Sequence, residues 1–228
     1  MRPTTLPKIY CAGLCLAAWL FHPPSVSATD GTWIGGGGNW SDTTKWNGGT
    51  VAGGQGATAT INLGTSGNTA LTNNQPTTVG VIQLSNSSGQ SFDLYGNGST
   101  LTFDVASGMP LFGFNSYFSK SYTIGGGGLT IAGAKGLKIE TGSNTVRPVN
   151  GLSWTGFSGT LEIDCNGGNG GFDPQAANLV PAVTLSLANE SGNVIFGMYA
   201  GRNQTIDGLN GTANAFLNNN NPGGGNGV

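Results

Sequence analysis

The chain has 228 residues, of which 42 are glycine and only 8% are charged. Its formal net charge of −2 and the lack of a basic run argue against nucleic acid as a partner, because phosphate binding needs clustered Lys and Arg. Few charges and 37% hydrophobic residues also differ from the composition of disordered chains. Abundant glycine and small polar residues between spaced aliphatic ones instead indicate a repetitive β structure with many turns.

The segment 1–28 has the pattern of a secretory signal. Arg2 and Lys8 supply positive charge, residues 9–21 are apolar, and a small-residue cleavage site ends at Ala28. The apolar segment is too short to span a bilayer, which needs about 20 residues. We therefore expect an exported protein, secreted or at the cell surface, with cleavage after Ala28 and no transmembrane segment in the mature chain.

Removal of this segment changes the chemical inventory of the chain. Six basic and ten acidic residues remain, a net charge of −4, and the only histidine, His22, is lost. Cys165 becomes the only cysteine, so no intrachain disulfide can form. Without histidine there is no Ser-His or Cys-His catalytic pair and no imidazole metal ligand. We expect no catalytic residues, no metal site and no cofactor, and a buried structural role for Cys165.

Three of the five tryptophans, Trp33, Trp40 and Trp46, lie close together near the start of the mature chain. Each indole can bury about 150–250 Å², so the three can form a compact apolar plug. A stacked β structure exposes unpaired strand edges at its ends and needs terminal caps. Residues 29–56 are therefore predicted to form an N-terminal cap that contains these tryptophans.

From residue 57 onward, short alternating segments predict strands at a spacing of roughly 8–12 residues. The predicted strands are residues 57–63, 77–84, 91–95, 99–105, 122–124, 129–131, 137–139, 145–147, 160–165, 183–187, 193–198 and 204–206. The aromatic segment 111–118 is interpreted as core packing, and the Asn/Gly-rich residues 218–228 as a flexible tail. No segment has helical periodicity, so an all-β solenoid is predicted over residues 57–217, with a β-sandwich as the alternative.

The opening stretch also has a recognisable pattern, Trp-x-Gly-Gly-x-Gly-x-Trp-Ser-x-x-x-x-Trp-Asn, over residues 33–47. It resembles the start of bacterial proteins with autotransporter-associated β-strand repeats, and residues 156–163 and 206–213 resemble their repeat units. This resemblance implies an exported, non-catalytic, single-stranded right-handed parallel β-helix that serves as a stalk or passenger. Because neither an outer-membrane barrel nor an anchoring helix follows the repeats, a truncated fragment of a longer autotransporter-like protein is a further alternative.

Two carboxylates support a rival hypothesis. Glu162 and Asp164 are two positions apart on a predicted strand and so share one face, opposite Leu161 and Ile163. Paired carboxylates can cleave glycosidic bonds, which makes these two residues and Trp154 candidate glycan contacts in a polysaccharide-binding or polysaccharide-cleaving β-helix. A solvated strand face explains the same alternation and is the favoured interpretation. The leading hypothesis is a structural surface solenoid whose polar face adheres to surface glycans or other surface proteins.

Residues 167–175 resemble a calcium-binding nonapeptide, Gly-Gly-x-Gly-x-Asp. Phe172 occupies the position of the aspartate, however, and Asp173 follows one place late. Such sites are built between stacked copies of the motif, and the sequence has one copy. The segment is therefore interpreted as a flexible loop.

Overall fold

The computed structural model describes residues 27–63, 68–86, 90–114, 120–198 and 202–218. Within these ranges the chain forms β-strands and two 3-10 helices, and no α-helix. The strands are β1 (Gly31–Trp33), β2 (Gly38–Asn39), β3 (Thr58–Leu63), β4 (Thr69–Asn73), β5 (Thr77–Val79), β6 (Val81–Asn86), β7 (Phe92–Gly96), β8 (Thr100–Phe103), β9 (Leu111–Phe114), β10 (Ser121–Gly125), β11 (Thr130–Ala132), β12 (Leu137–Glu140), β13 (Thr145–Val149), β14 (Thr160–Phe172), β15 (Thr184–Gly197), β16 (Gly208–Gly211) and β17 (Ala215–Asn218). The 3-10 helices, Thr43–Lys45 and Asn47–Gly49, lie in the tryptophan-rich segment.

The strands stack on three faces, which we call the first, second and third faces. The first face contains β1, β3, β6, β9, β12, the start of β14, the start of β15 and β16. The second face contains β2, β4, β7, β10, β13, the ends of β14 and β15, and β17. The third face contains β5, β8 and β11 and continues through bridges from Thr130 to Ser153 and from Gly133 to Phe157.

All pairs of these strands are parallel. The described chain is therefore an all-β solenoid of about 7 turns, which confirms the predicted fold class. The alternative of a β-sandwich is wrong, because sandwiches are built from antiparallel sheets. Within the described ranges, no helix has the length and apolar character needed to cross a membrane.

Inward-facing side chains repeat at equivalent positions of successive turns and form the core. Ile82, Phe112, Ile139, Ile163 and Leu187 are aligned by the strand register, and each is at most 2% exposed. In the later turns the repeat is regular, since the spacing from Ile139 to Ile163 equals that from Ile163 to Leu187. Burying an aliphatic side chain stabilises a fold by about 1.5–3 kcal/mol, so this column alone contributes substantially to stability.

One predicted strand is divided by a corner of the coil. The sequence predicts a single strand over residues 77–84, whereas the structure has β5 on the third face and β6 on the first face. A Cβ atom on Gly80, between them, would lie 2.6 Å from the Cα of Gly56. The corner therefore requires glycine, because two successive turns approach each other too closely there for a side chain.

The prediction of a loop over residues 167–175 is wrong, because residues 167–172 belong to β14. The strand bends from the first to the second face through register shifts between Cys165 and Asn169 and a positive φ at Gly168. These irregularities interrupt the alternation of inward and outward side chains, although β14 stays paired with β15. The segment therefore lacks the period-two pattern by which a strand is predicted from sequence. β15 bends in the same region, which merges the predicted strands 183–187 and 193–198 into one.

Other boundaries differ less. β4 lies in a segment where no strand was predicted, and residues 204–206 are not in a strand. Phe112 and Phe114 are buried in the core with their rings 5.3 Å apart, as expected for the aromatic segment. Residues 115–119 of that segment, residues 1–26 of the predicted signal and residues 219–228 of the predicted tail lie outside the described residues.

The two ends of the stack differ. At the start, the outer edge of β1 is paired by the following chain, since the Ile34 N–H donates to the Lys45 carbonyl at 2.8 Å and Trp33 bridges to Trp46. At the other end, β16 and β17 pair with β15 and with no other strand among the described residues. Leu209 and Leu217, whose counterparts Leu185 and Phe196 are buried, are both 46% exposed there.

Candidate functional site

The three tryptophans form a single buried cluster in the first turn. Trp33 and Trp40 are 0% exposed and Trp46 is 1% exposed. The ring of Trp46 lies 5.3 Å from those of both other tryptophans. Each indole N–H has a backbone acceptor: Trp33 donates to Gly36, Trp40 to Ala52 at 3.0 Å, and Trp46 to the carbonyl of Trp40 at 2.7 Å.

These contacts support the predicted cap only in part. The tryptophan segment is itself the first turn of the coil, because β1 continues the ladder of β3 with Trp33 opposite Ile61. It also blocks the edge of β1 through the antiparallel bridges of Trp33 and Thr29, as a cap must. A boundary between cap and solenoid at residue 56 stays a prediction. Buried indoles cannot stack on a ligand, so this cluster is not a binding surface.

A cluster of four charged side chains lies on the outside of the first face. Lys138 Nζ is 2.7 Å from Asp164 Oδ2, 3.3 Å from Glu140 Oε1 and 4.0 Å from Glu162 Oε1. The register explains this arrangement, because Lys138 is opposite Glu162 and Glu140 is opposite Asp164 on adjacent strands. As predicted, Leu161 and Ile163 point to the core, where both are 0% exposed.

The burial of Asp164 determines the charge state of Lys138 in this cluster. The Asp164 side chain is 1% exposed, and among the described residues its Oδ1 atom has no hydrogen-bond partner. Burial by itself lowers the pKa of Lys138, but the hydrogen bond and charge of Asp164, followed by those of Glu140, raise that pKa above its usual value. The ammonium group is therefore held charged as the cation that compensates a buried carboxylate.

The cluster is suited to joining turns and less suited to acid–base chemistry. A hydrolytic pair needs one carboxyl group to donate a proton and the other to act as base or nucleophile. Here Lys138 Nζ contacts both Glu162 and Asp164, and the Asp164 side chain is only 1% exposed, so it cannot reach a glycosidic bond. The sequence prediction named the two acids but missed Lys138, although the regular repeat of the later turns places it opposite Glu162.

Trp154, the third candidate glycan contact, does not join these acids. It follows Ser153 on the third face, where its ring packs 5.0 Å from Phe157 in an edge-to-face contact. Its indole N–H donates to the Leu179 carbonyl at 2.9 Å in the next turn. Trp154 is partly buried against the core, so the structure gives it a packing role and separates it from Glu162 and Asp164.

Asp173 lies on the second face, away from the ion cluster of the first face. Its side chain accepts a hydrogen bond from Gln175 Nε2 at 2.7 Å and lies 3.6 Å from both Arg147 Nε and Arg202 Nη1. Burial raises the pKa of Asp173, against the opposing effects of Gln175, Arg147 and Arg202. Neither arginine is predictable from the sequence around Asp173, because Arg147 comes from the turn before it and Arg202 from the turn after it.

Cys165 lies at the bend of β14 and is 0% exposed. Its thiol donates to the Gly142 carbonyl at 3.0 Å and accepts from the Gly170 N–H at 3.2 Å. The thiol thus satisfies backbone groups where β14 leaves regular pairing, which confirms that it is a buried structural thiol. Ala28, the predicted cleavage position, is exposed, and the neighbouring Thr29 forms an antiparallel bridge with Gly53.

In the part of the chain that the structure describes, no three His, Cys, Asp or Glu side chains are grouped as metal ligands. The described side chains therefore supply three features: a buried tryptophan cluster, a cross-turn ion cluster and an arginine-flanked carboxylate. Comparison with known protein families, with curated proteins and with solved structures gave no match for this chain.

Proposed function

We propose that this protein is an exported, non-catalytic surface solenoid that holds a polar face away from the cell for adhesion or spacing. The observation that carries the proposal is the stacked coil itself, which is blocked at its first turn by the chain around the buried tryptophans. Such a coil is a rigid, elongated element in which each turn contacts only its neighbours. Its length grows by about 4.8 Å per turn, which suits a stalk.

The arrangement of charges supports a structural role for the acidic residues. Lys138 forms an ion pair with the buried Asp164 and also contacts Glu140 and Glu162. Removing this lysine would leave three carboxylates on adjacent strands without their cation, so the cluster behaves as an inter-turn ion pair. The same contacts disfavour the rival role of Glu162 and Asp164 as a hydrolytic pair.

The proposal includes export of the chain and its kinship with proteins that carry autotransporter-associated β-strand repeats. The pattern of segment 1–28, with small residues at its end, supports cleavage after Ala28. The parallel coil agrees with what a resemblance to autotransporter-associated β-strand repeats implies. On this proposal the partners are surface glycans or other surface proteins, and the protein is a passenger or stalk.

Expression of the full chain in a Gram-negative host tests the proposal. The expected result is a product whose N-terminus is Thr29 by mass spectrometry, and which protease added to intact cells can reach. An Ala28→Gln variant, which blocks a small-residue cleavage site, is expected to retain the segment 1–28. A product found only inside the cell, with that segment intact in the unmodified chain, would contradict export.

The non-catalytic part has its own test. Purified protein is incubated with a panel of polysaccharides and the reducing ends are counted, with Glu162→Gln as the matched variant. We expect no release of reducing ends by either protein. Reproducible cleavage that is lost in Glu162→Gln would show that the rival hypothesis of a polysaccharide-cleaving β-helix is correct.

A further inference from the structure

The outside of the second face has a shallow cleft that none of the sequence motifs predicted. Its volume is about 190 Å³, and Gly171 and Gly197 line it where the ends of β14 and β15 pass. In the same ladders the neighbouring positions carry side chains: Thr145 and Ile195 flank Gly171, and Asn218 is opposite Gly197. The two glycines therefore open a gap in an otherwise continuous row of side chains.

One side of the cleft is positively charged. Arg147 and Asp173 line it, and Arg202, which is not among the lining residues, approaches the same Asp173 carboxylate, so the three groups together carry one net positive charge. The Asp173 side chain is only 12% exposed, whereas that of Arg147 is 45% exposed. At 3.6 Å the contact from Arg147 Nε to Asp173 is an ion pair and is too long for a hydrogen bond. Arg147 thus presents guanidinium donors to the cleft while Asp173 fixes its position.

The opposite side of the cleft is apolar. Ile195 lines it, and Phe216 occupies the next position of the same ladder on β17 with 48% of its surface exposed. Apolar surface beside a few directed polar groups is the usual composition of a ligand site. The volume is below the roughly 300 Å³ at which enclosed small-molecule pockets begin, so the cleft fits one ring-sized unit of a longer ligand that continues over the surface.

We propose that this cleft binds an anionic saccharide, with a ring carboxylate on Arg147 and the apolar face of the sugar against Ile195 and Phe216. The proposal rests on the proposed adhesive function and assigns it a site and a ligand class. A carboxylate is preferred because the arginine fork can bind it with two parallel hydrogen bonds. A nucleic acid is not favoured, since phosphate tracking needs a line of cations and the chain as a whole is acidic.

The experiment is isothermal titration of the full chain with a galacturonic-acid trisaccharide, and with its methyl ester as a ligand without charge. Arg147→Gln removes the cation and keeps a polar side chain of similar reach. Phe216→Ser removes the exposed ring and leaves the buried core intact. Lys135→Gln is the matched control, because it removes one positive charge from a side chain of 37% exposure that pairs with Asp104 elsewhere.

We expect the acid to bind, and the ester and the Arg147→Gln variant to bind at least about tenfold more weakly, as the loss of a charge-assisted hydrogen bond predicts. Phe216→Ser should also weaken binding, while Lys135→Gln stays within about twofold of the unmodified chain. Circular dichroism and melting of each variant establish that it is folded. Equal weakening by Arg147→Gln and Lys135→Gln, or equal binding of acid and ester, would overturn the proposal.

Absence of binding by the folded, unmodified chain would also overturn this site. It would leave the exported stalk intact as a function, because that function is tested by processing and surface exposure. Conversely, binding of the acid by a chain that stays inside the cell would support the saccharide site and contradict the proposed surface role.

Discussion

Replacement of Trp40 with alanine tests whether the tryptophan cluster caps the coil. Trp40 is 0% exposed and lies between the Ala52 carbonyl, which accepts its indole N–H, and the ring of Trp46. Loss of about 150–250 Å² of buried indole at about 25 cal/mol per Å² corresponds to about 4–6 kcal/mol. Measured Trp→Ala changes in cores cost about 3–5 kcal/mol, so we expect a loss of about 4 kcal/mol.

The location of this loss matters more than its size. In a solenoid, each turn contacts its neighbours only, so a defect in the first turn should open that end and leave later turns folded. Hydrogen exchange followed by mass spectrometry measures both. We expect amides of residues 29–63 to exchange up to about 1,000-fold faster, since each 1.4 kcal/mol is a factor of ten, and amides of residues 137–187 to keep their protection.

The control is Ile34→Ala, in the same segment. Ile34 is 56% exposed, so its truncation should change stability by no more than about 0.5 kcal/mol. Opening of the first turn also exposes the edge of β3, and Trp40→Ala should therefore self-associate in light scattering where Ile34→Ala does not. Uniform acceleration along the whole chain would refute a local cap. Unchanged exchange of residues 29–63 would show that Trp40 does not hold the first turn together.

Three further predictions concern charge and the last turn. Lys138→Met should lower the free energy of unfolding, measured in urea, by about 3 kcal/mol, because it leaves the buried Asp164 carboxylate without its cation. Adding Asp164→Leu removes that carboxylate and should restore most of the lost stability, and a double variant as unstable as Lys138→Met would contradict this explanation. Leu217→Lys should reduce concentration-dependent association in light scattering without lowering the melting temperature, because Leu217 is 46% exposed on β17, whose outer edge pairs with no other described strand. Unchanged association would show that this edge does not promote self-association. Folding raises the pKa of Asp173, so the folded chain holds the proton of this carboxyl group more tightly than the unfolded chain does. The contribution of Asp173 to the free energy of unfolding should therefore fall as the pH rises from about 3.9 through the raised pKa. Asp173→Asn should remove that part of the pH dependence of melting, and identical profiles would contradict the assignment.

The alternation of side chains was enough to predict the inside and outside of most strands. Leu161 and Ile163 point inward and Glu162 and Asp164 outward, as the period of two requires. The indole cluster was also predictable, because three large apolar side chains within one short segment have few ways to be buried separately. Both predictions depend on residues that are close in sequence.

Corners and partners between turns could not be predicted in the same way. Gly80 is a corner because Gly56 of the preceding turn passes 2.6 Å from where its Cβ would be, and that contact is invisible in local sequence. Asn73 and Asn144 are 0% exposed, and the local sequence does not distinguish them from exposed asparagines such as Asn39. Parallel stacking sets all of these contacts, and its register depends on residues about one turn apart.

The few charged residues of the chain help to specify this register. Among the described residues, five ion pairs join residues that lie about one turn of the coil apart in sequence: Lys135–Asp104, Lys138–Glu162, Lys138–Asp164, Arg147–Asp173 and Arg202–Asp173. A slip of one residue between turns would turn the charged strand residues Lys138, Arg147 and Asp164 from the outer surface towards the core. A slip of two would keep the faces correct but separate Lys138 from the buried Asp164, at the cost of an unpaired charge. Apolar columns of similar Ile, Leu and Phe side chains tolerate such slips, so we infer that the ion pairs select one register among those that the core allows.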